Sequence, residues 1–315
     1  MARPTTVAVL ACALAAGSAL GTGNAEQGKT NMRATTAATA PSKTGRAEIN
    51  GVNYYYEIRG EGEPLLLLHG GLGSIDMFAP ILPALSQARQ IIAVDLHGHG
   101  RTALGGRNIN LVDIGNDMAA LLKRLGYGKV DVFGYSFGGG AGFRLAVQHP
   151  GLVRRLVMVS AGYSLDGFYP EIRAQQVQVG AAMAEFMKET PMYKSYVAVA
   201  PRPEDFPKLL DQMGSHMRNA FDWSAEAAAL KMPVMLVFAD GDMYRPEHVV
   251  KFYQLLGGWL KDAGWNRETL SQNRLAILPN RTHYDVFFAP ELVPTVLPFL
   301  NGETKVKTWA EMVGK

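Results

Sequence analysis

Residues 130–140 read Val-Asp-Val-Phe-Gly-Tyr-Ser-Phe-Gly-Gly-Gly, and no other stretch of the chain constrains its fold as strongly. A buried, strand-like run enters Gly134-Tyr135-Ser136-Phe137-Gly138 with no spacer, and a helix-like run leaves it. A chain that turns from strand to helix within one residue strains that residue's backbone. It also needs glycines two places before and two places after, where a Cβ would clash. The product of this turn is a serine oxygen held above the sheet at a helix N-terminus, where the macrodipole favours developing negative charge.

The remaining punctuation supports a sheet around this turn. Short apolar runs at 65–68, 91–94, 130–133, 156–160, 234–238 and 275–278 read as strands, and the tyrosine-rich run 52–58 as another. Helical spacing appears at 110–125, 137–149, 247–260 and 291–300. Buried strands alternating with helices predict an α/β class: a mostly parallel sheet with helices on both faces. Residues 162–232 break the alternation. They are helical in character and rich in methionine and aromatics, which predicts an inserted helical cap. The expected organisation is a core over 47–161 and 233–303 with the cap over 162–232.

Three further segments sit where strand ends should be. His69-Gly70-Gly71-Leu72-Gly73-Ser74 follows the run 65–68, and such a loop can aim a backbone N–H at an acyl oxygen beside Ser136. Gly71 is the expected donor, with Leu72 as the alternative; Phe137 N–H, next to the serine, supplies the other. Asp240 and Asp242 follow the strand 234–238, and His283 follows the strand 275–278. A serine nucleophile needs a base, and the base needs an acid to fix its tautomer. The chain order Ser136, Asp242, His283 supplies all three.

Residues 48–300 thereby resemble the α/β-hydrolase fold superfamily, in its serine-nucleophile, esterase-like branch with a helical cap. Asp95-Leu96-His97-Gly98-His99-Gly100-Arg101-Thr102 also resembles that family's D-x-x-G-x-G-x-S turn, with threonine for serine. The family's acid commonly stands four residues before a proline; Pro246 selects Asp242 over Asp240. The resemblance implies an ester or lactone hydrolase working through an acyl-serine, with Ser136, Asp242 and His283 catalytic and Gly71 and Phe137 forming the oxyanion hole. Leu72, Tyr135, Phe168, Tyr169 and Met192 are the expected substrate contacts. It implies no metal and no organic cofactor, and a small-molecule partner. Haloalkane dehalogenases and epoxide hydrolases carry an aspartate where Ser136 stands. Carbon–carbon and peptide or amide hydrolases share the triad and remain alternatives, as does a silent ligand-binding protein on the same fold.

Composition sets outer bounds. A net charge of +3 gives no basic footprint for nucleic acid. The single cysteine, Cys12, excludes a disulfide scaffold and any multi-cysteine metal site. Arg3 followed by the apolar run 7–20 and the small residues Gly23 and Ala25 predicts a signal peptide over 1–25 and an exported protein, periplasmic or secreted. An uncleaved anchor and a lipoprotein acylated at Cys12 are the alternatives. Residues 26–46 read as a flexible leader, and no later segment has the length and apolarity of a membrane span.

Overall fold

The computed structural model describes residues 41–303 and 307–313. The expected signal peptide, its cleavage site and Cys12 lie outside the described residues, as does most of the expected leader. Among the described residues, no helix is long and apolar enough to cross a membrane.

Eight strands form one sheet: β1 (Lys43–Ile49), β2 (Val52–Arg59), β3 (Pro64–Leu68), β4 (Gln90–Val94), β5 (Val130–Tyr135), β6 (Val153–Val159), β7 (Val234–Gly241) and β8 (Arg274–Thr282). Their spatial order is β1-β2-β4-β3-β5-β6-β7-β8. The β1–β2 and β2–β4 pairs are antiparallel and the other five are parallel. The chain is therefore an α/β-hydrolase fold, as its sequence implies. Strands β3 to β6 are almost wholly buried, which is why their sequences are continuous apolar runs rather than alternating ones.

Helices cover both faces. On one face, α2 (Leu111–Arg124), α3 (Phe137–Gln148) and α9 (Pro246–Leu255) pack Met118, Phe143 and Phe252 against Leu66, Val132 and Leu236. On the other, α1 (Leu82–Ala88) and α10 (Leu292–Leu300) pack Leu85 and Val296 against Leu67, Phe133 and Val237. Helix α2 starts where its sequence says it should. Asn110 caps it by accepting from the Val112 N–H at 2.8 Å, and Lys123 and Arg124 sit in the last turn, where the dipole favours cations.

Between β6 and β7 the chain leaves the sheet and forms five short helices: α4 (Pro170–Gln176), α5 (Ala184–Met187), α6 (Pro191–Val199), α7 (Phe206–Arg218) and α8 (Ser224–Ala229). A short helix α11 (Trp309–Val313) closes the described chain.

The structure corrects the sequence reading at several boundaries. The leader was expected to reach residue 46, but β1 already begins at Lys43 and pairs with β2. The helix expected over 247–260 ends at Leu255. Gly257 takes a left-handed φ of 89° and its N–H donates to the Gln254 carbonyl, a turn that glycine makes without Cβ strain. Helix α1, between β3 and β4, was not anticipated; it is seven residues long and opens with Pro83 near its N-terminus.

Candidate active site

The site grows from the junction of β5 and α3. Ser136 has φ 52° and ψ −116°, outside the regions that non-glycine residues ordinarily adopt. Its neighbours make that conformation possible. A Cβ on Gly134 would lie 2.3 Å from the Gly138 carbonyl oxygen, and one on Gly138 would lie 2.3 Å from the Leu68 carbonyl oxygen. Both glycines are thus required by contact with rigid backbone. Gly138→Ala is expected to lower stability by about 1–3 kcal/mol through overpacking. Gly151→Ala, where a Cβ meets nothing within 4 Å, serves as the control. Melting temperatures of the two variants decide the point.

The parallel strands β5, β7 and β8, with β6 between the first two, end at one edge of the sheet and deliver the polar groups. The Ser136 hydroxyl stands 3.1 Å from His283 Nε2, and His283 Nδ1 stands 3.1 Å from Asp242 Oδ1. The Asp242 carboxylate is further held by the Ala239 N–H at 3.2 Å, the Met243 N–H at 2.8 Å and the Ser160 hydroxyl. Burial works against its ionisation. The hydrogen bonds and the adjacent imidazole outweigh that, and the carboxyl titrates below the ordinary aspartate range. Asp240 goes elsewhere: it is exposed and accepts from the Asn280 and Arg281 N–H groups at 2.9 and 3.1 Å.

The loop after β3 lies against this line. A Cβ on Gly70 would be 3.5 Å from Ser136 Cβ, and one on Gly71 would be 3.7 Å from Phe137 Cβ. The Gly73 N–H closes a turn onto the Gly70 carbonyl, and Leu72 within that turn has φ 58°. His69 does not face the reacting groups. Its Nδ1 donates to the Gly70 carbonyl at 2.7 Å and its Nε2 accepts from the Leu96 N–H at 2.9 Å. Burial pushes its imidazole down to about 4, so it is a neutral strut beneath the loop. Asp95 acts likewise. Its buried carboxylate accepts from the Ile75 N–H at 2.7 Å and the Arg101 N–H at 2.8 Å, which fastens the loop to the turn after β4. His97 and His99 each meet a backbone carbonyl, at 2.7 and 2.8 Å, and among the described residues no group of three or more potential ligands could hold a metal.

The expected substrate contacts divide. Leu72 and Phe168 are half-buried at the rim, and Phe168 stacks on Tyr244, whose ring lies 6.4 Å from that of His283. Tyr169 joins the acid loop through its backbone, its N–H donating to the Met243 carbonyl at 3.2 Å. Met192 packs half-buried against the core cluster that the helices between β6 and β7 share. Tyr135 departs from expectation. It is 5 % exposed, lies on the opposite face of the sheet, and its hydroxyl donates to the His283 carbonyl at 2.6 Å. The glycine at position 70 leaves room for it, since a Cβ there would lie 2.6 Å from the Tyr135 ring. Tyr135 thus braces the histidine loop, with its ring 5.4 Å from that of His283.

Three groups at the site escaped the sequence reading. Ser160 directly follows β6, the strand beside β5, and that position next to the serine strand is the available signal. Tyr244 and His216 carry no motif; only packing brings them in.

Comparison with known proteins places this geometry in context. A family model described as the alpha/beta hydrolase fold matches residues 63–191. Over 216 residues the chain is 28% identical to an Azorhizobium caulinodans protein provisionally named carbamate hydrolase RutD, covering 62% of this chain and 79% of that one. Over 114 residues it is 35% identical to a soluble epoxide hydrolase of Corynebacterium sp. strain C12, covering 36% of this chain and 40% of that one. Among solved structures, a thermophilic esterase from Thermogutta terrifontis superposes with a TM-score of 0.65 at 18% identity, over 84% of this chain and all of that one.

Proposed function

Because the chain belongs to the α/β-hydrolase fold superfamily, we propose that it hydrolyses carboxylic esters or lactones through an acyl-serine intermediate. The observation that carries this reading is the unbroken line from Ser136 through His283 to Asp242, with a strained serine at its head. Ser136 attacks the acyl carbon while His283 Nε2 takes the hydroxyl proton. His283 then returns that proton to the leaving alkoxide, and Asp242 fixes the tautomer and supports the imidazolium. Water repeats the cycle on the acyl-enzyme. The Phe137 N–H, an orphan donor in the first turn of α3, and an N–H of the Gly71-Leu72 segment stabilise the oxyanion. Such donors contribute about 2.7–4 kcal/mol each. A serine in place of an aspartate at residue 136 supports acyl transfer over epoxide opening.

The test is a panel of p-nitrophenyl esters and simple lactones. Saturable hydrolysis with a pre-steady-state burst of p-nitrophenol supports the reading. Turnover confined to carbon–carbon or amide substrates supports the same triad with another substrate. The absence of turnover on every class supports a silent binding protein.

Tyr135 enters this scheme as a positioning residue. Tyr135→Phe keeps the packing and removes the hydrogen bond to the His283 carbonyl. The expected result is a fall in kcat of about tenfold, equivalent to about 1.4 kcal/mol, with KM nearly unchanged. An equal fall in kcat/KM through KM alone would contradict it.

Export remains part of the proposal. The mature protein is expected to begin near Glu26, which N-terminal sequencing of protein from the producing cell would read.

A further inference from the structure

The acyl-transfer scheme gives the His216 side chain no role. His216, on α7, presents its ring edge-on to Phe137, with centroids 5.3 Å apart and planes at 85°. Three residues earlier on the same helix, Met213 lies over the oxyanion loop, since a Cβ on Gly71 would meet its methyl at 2.9 Å. Residues three apart share a helix face. Helix α7 therefore sets a thioether over the loop after β3 and an imidazole against the ring of Phe137, the residue after Ser136.

Among the described residues, neither ring nitrogen of His216 makes a hydrogen bond, although the ring is half-buried. Burial alone pushes it down to about 4, and no charged group contributes. At neutral pH it is uncharged, with one N–H donor and one nitrogen acceptor. Its two neighbours here, Phe137 and Met213, are apolar and almost fully buried. Phe137 is itself backed by His99, whose ring stacks on it at 5.6 Å and whose Nδ1 is committed to the His97 carbonyl.

A half-buried donor and acceptor facing apolar surroundings are satisfied only by water or by a bound molecule. A charged substituent fits poorly, because it would be desolvated against the buried apolar side chains Phe137 and Met213. A neutral oxygen fits well, since imidazole can donate to a keto group and either donate to or accept from a hydroxyl. Resting on the ester reading above, we propose that His216 is a specificity-determining residue that selects uncharged esters or lactones bearing a hydroxyl or keto oxygen near the reacting carbonyl.

Two pairs of esters test this and separate the acyl from the alcohol side. Ethyl levulinate and ethyl valerate differ by a keto oxygen on the acyl chain; 2-hydroxyethyl butyrate and propyl butyrate differ by a hydroxyl on the alcohol. The readout is the ratio of kcat/KM within each pair, for the unmodified protein, His216→Phe and His216→Gln. Phenylalanine keeps the edge-on contact with Phe137 and removes the hydrogen bond; glutamine restores a donor and an acceptor. The expected result is a fall in the polar-to-apolar ratio of at least about tenfold in His216→Phe on one arm, with His216→Gln closer to the unmodified protein. The arm that responds tells which part of the substrate carries the oxygen. A smaller change on both arms, with hydrolysis of all four esters intact, overturns the role of His216 and leaves the ester reading standing. No hydrolysis of any of the four by the unmodified protein overturns the role of His216, and inertness toward the p-nitrophenyl esters and lactones as well overturns both. Melting curves check the fold, and His216→Met replaces His216→Phe should the latter not fold.

Discussion

Ser136→Ala is expected to reduce kcat on any ester substrate by about 10⁶-fold, the loss seen when a triad nucleophile is removed and only the oxyanion hole and substrate binding remain. The size of the effect follows from the chemistry: among the described residues no other hydroxyl is hydrogen-bonded to His283 Nε2, where Ser136 stands at 3.1 Å, and water attacking in its place lacks the covalent intermediate. The variant should still fold. Gly134 and Gly138 keep the turn open, and alanine at φ 52° is strained to about the same extent as the serine it replaces. Far-ultraviolet circular dichroism and a melting curve check the fold, and steady-state kinetics with high enzyme concentration read the residual rate. Activity within tenfold of the unmodified protein would remove Ser136 from the mechanism.

Asp242→Asn should be the next most damaging conservative change, at about 10⁴-fold in kcat, by analogy with the amide substitution in serine-protease triads. An amide at 242 cannot support the imidazolium, and its NH₂ group facing His283 Nδ1 would select the wrong tautomer. The comparison with Asp240→Asn makes the prediction sharp. Asp240 lies near the end of β7 and Asp242 directly follows the strand, yet only Asp242 is turned toward His283. Asp240 is exposed and holds the Asn280 and Arg281 N–H groups across the β7–β8 edge. Its amide variant should lose less than about tenfold, or about 1.4 kcal/mol of barrier. Measured kcat values for the two variants on one ester decide between them. A crippled Asp240 variant beside an active Asp242 variant would reassign the acid.

Most of the framework is legible in the sequence, for a physical reason. A parallel sheet buried on both faces writes itself as continuous apolar runs, and a strand that turns sharply into a helix must place glycine on either side of the turn. Those constraints are local in sequence, so β3 to β7, the serine turn and the order of the polar residues can all be read; β8, a partly exposed edge strand, shows only its short apolar stretch 275–278. The hairpin of β1 and β2 was readable but missed. Asn50 and Gly51 adopt φ of 50° and 82° between Ile49 and Val52, the asparagine–glycine pair that a two-residue hairpin favours. The polar composition of β1 hid it, because an edge strand has no need of an apolar run. What sequence could not give was the role of side chains whose partners are distant in the chain. Tyr135 reads as a substrate contact because it adjoins the serine, but successive side chains of a strand point to opposite faces, and its hydroxyl meets His283 from the far side. Ser160 and His216 similarly depend on contacts with Asp242 and Phe137 that only the folded chain supplies.

The central claim is that Ser136 is an activated nucleophile. Treatment of the folded protein with a fluorophosphonate, followed by peptide mass spectrometry, tests it most directly, because the reagent reacts with a serine only when a base has activated it. The account predicts a single stoichiometric adduct on the peptide containing Ser136, lost in His283→Ala as well as in Ser136→Ala. An unlabelled protein, or an adduct on another serine, would contradict it.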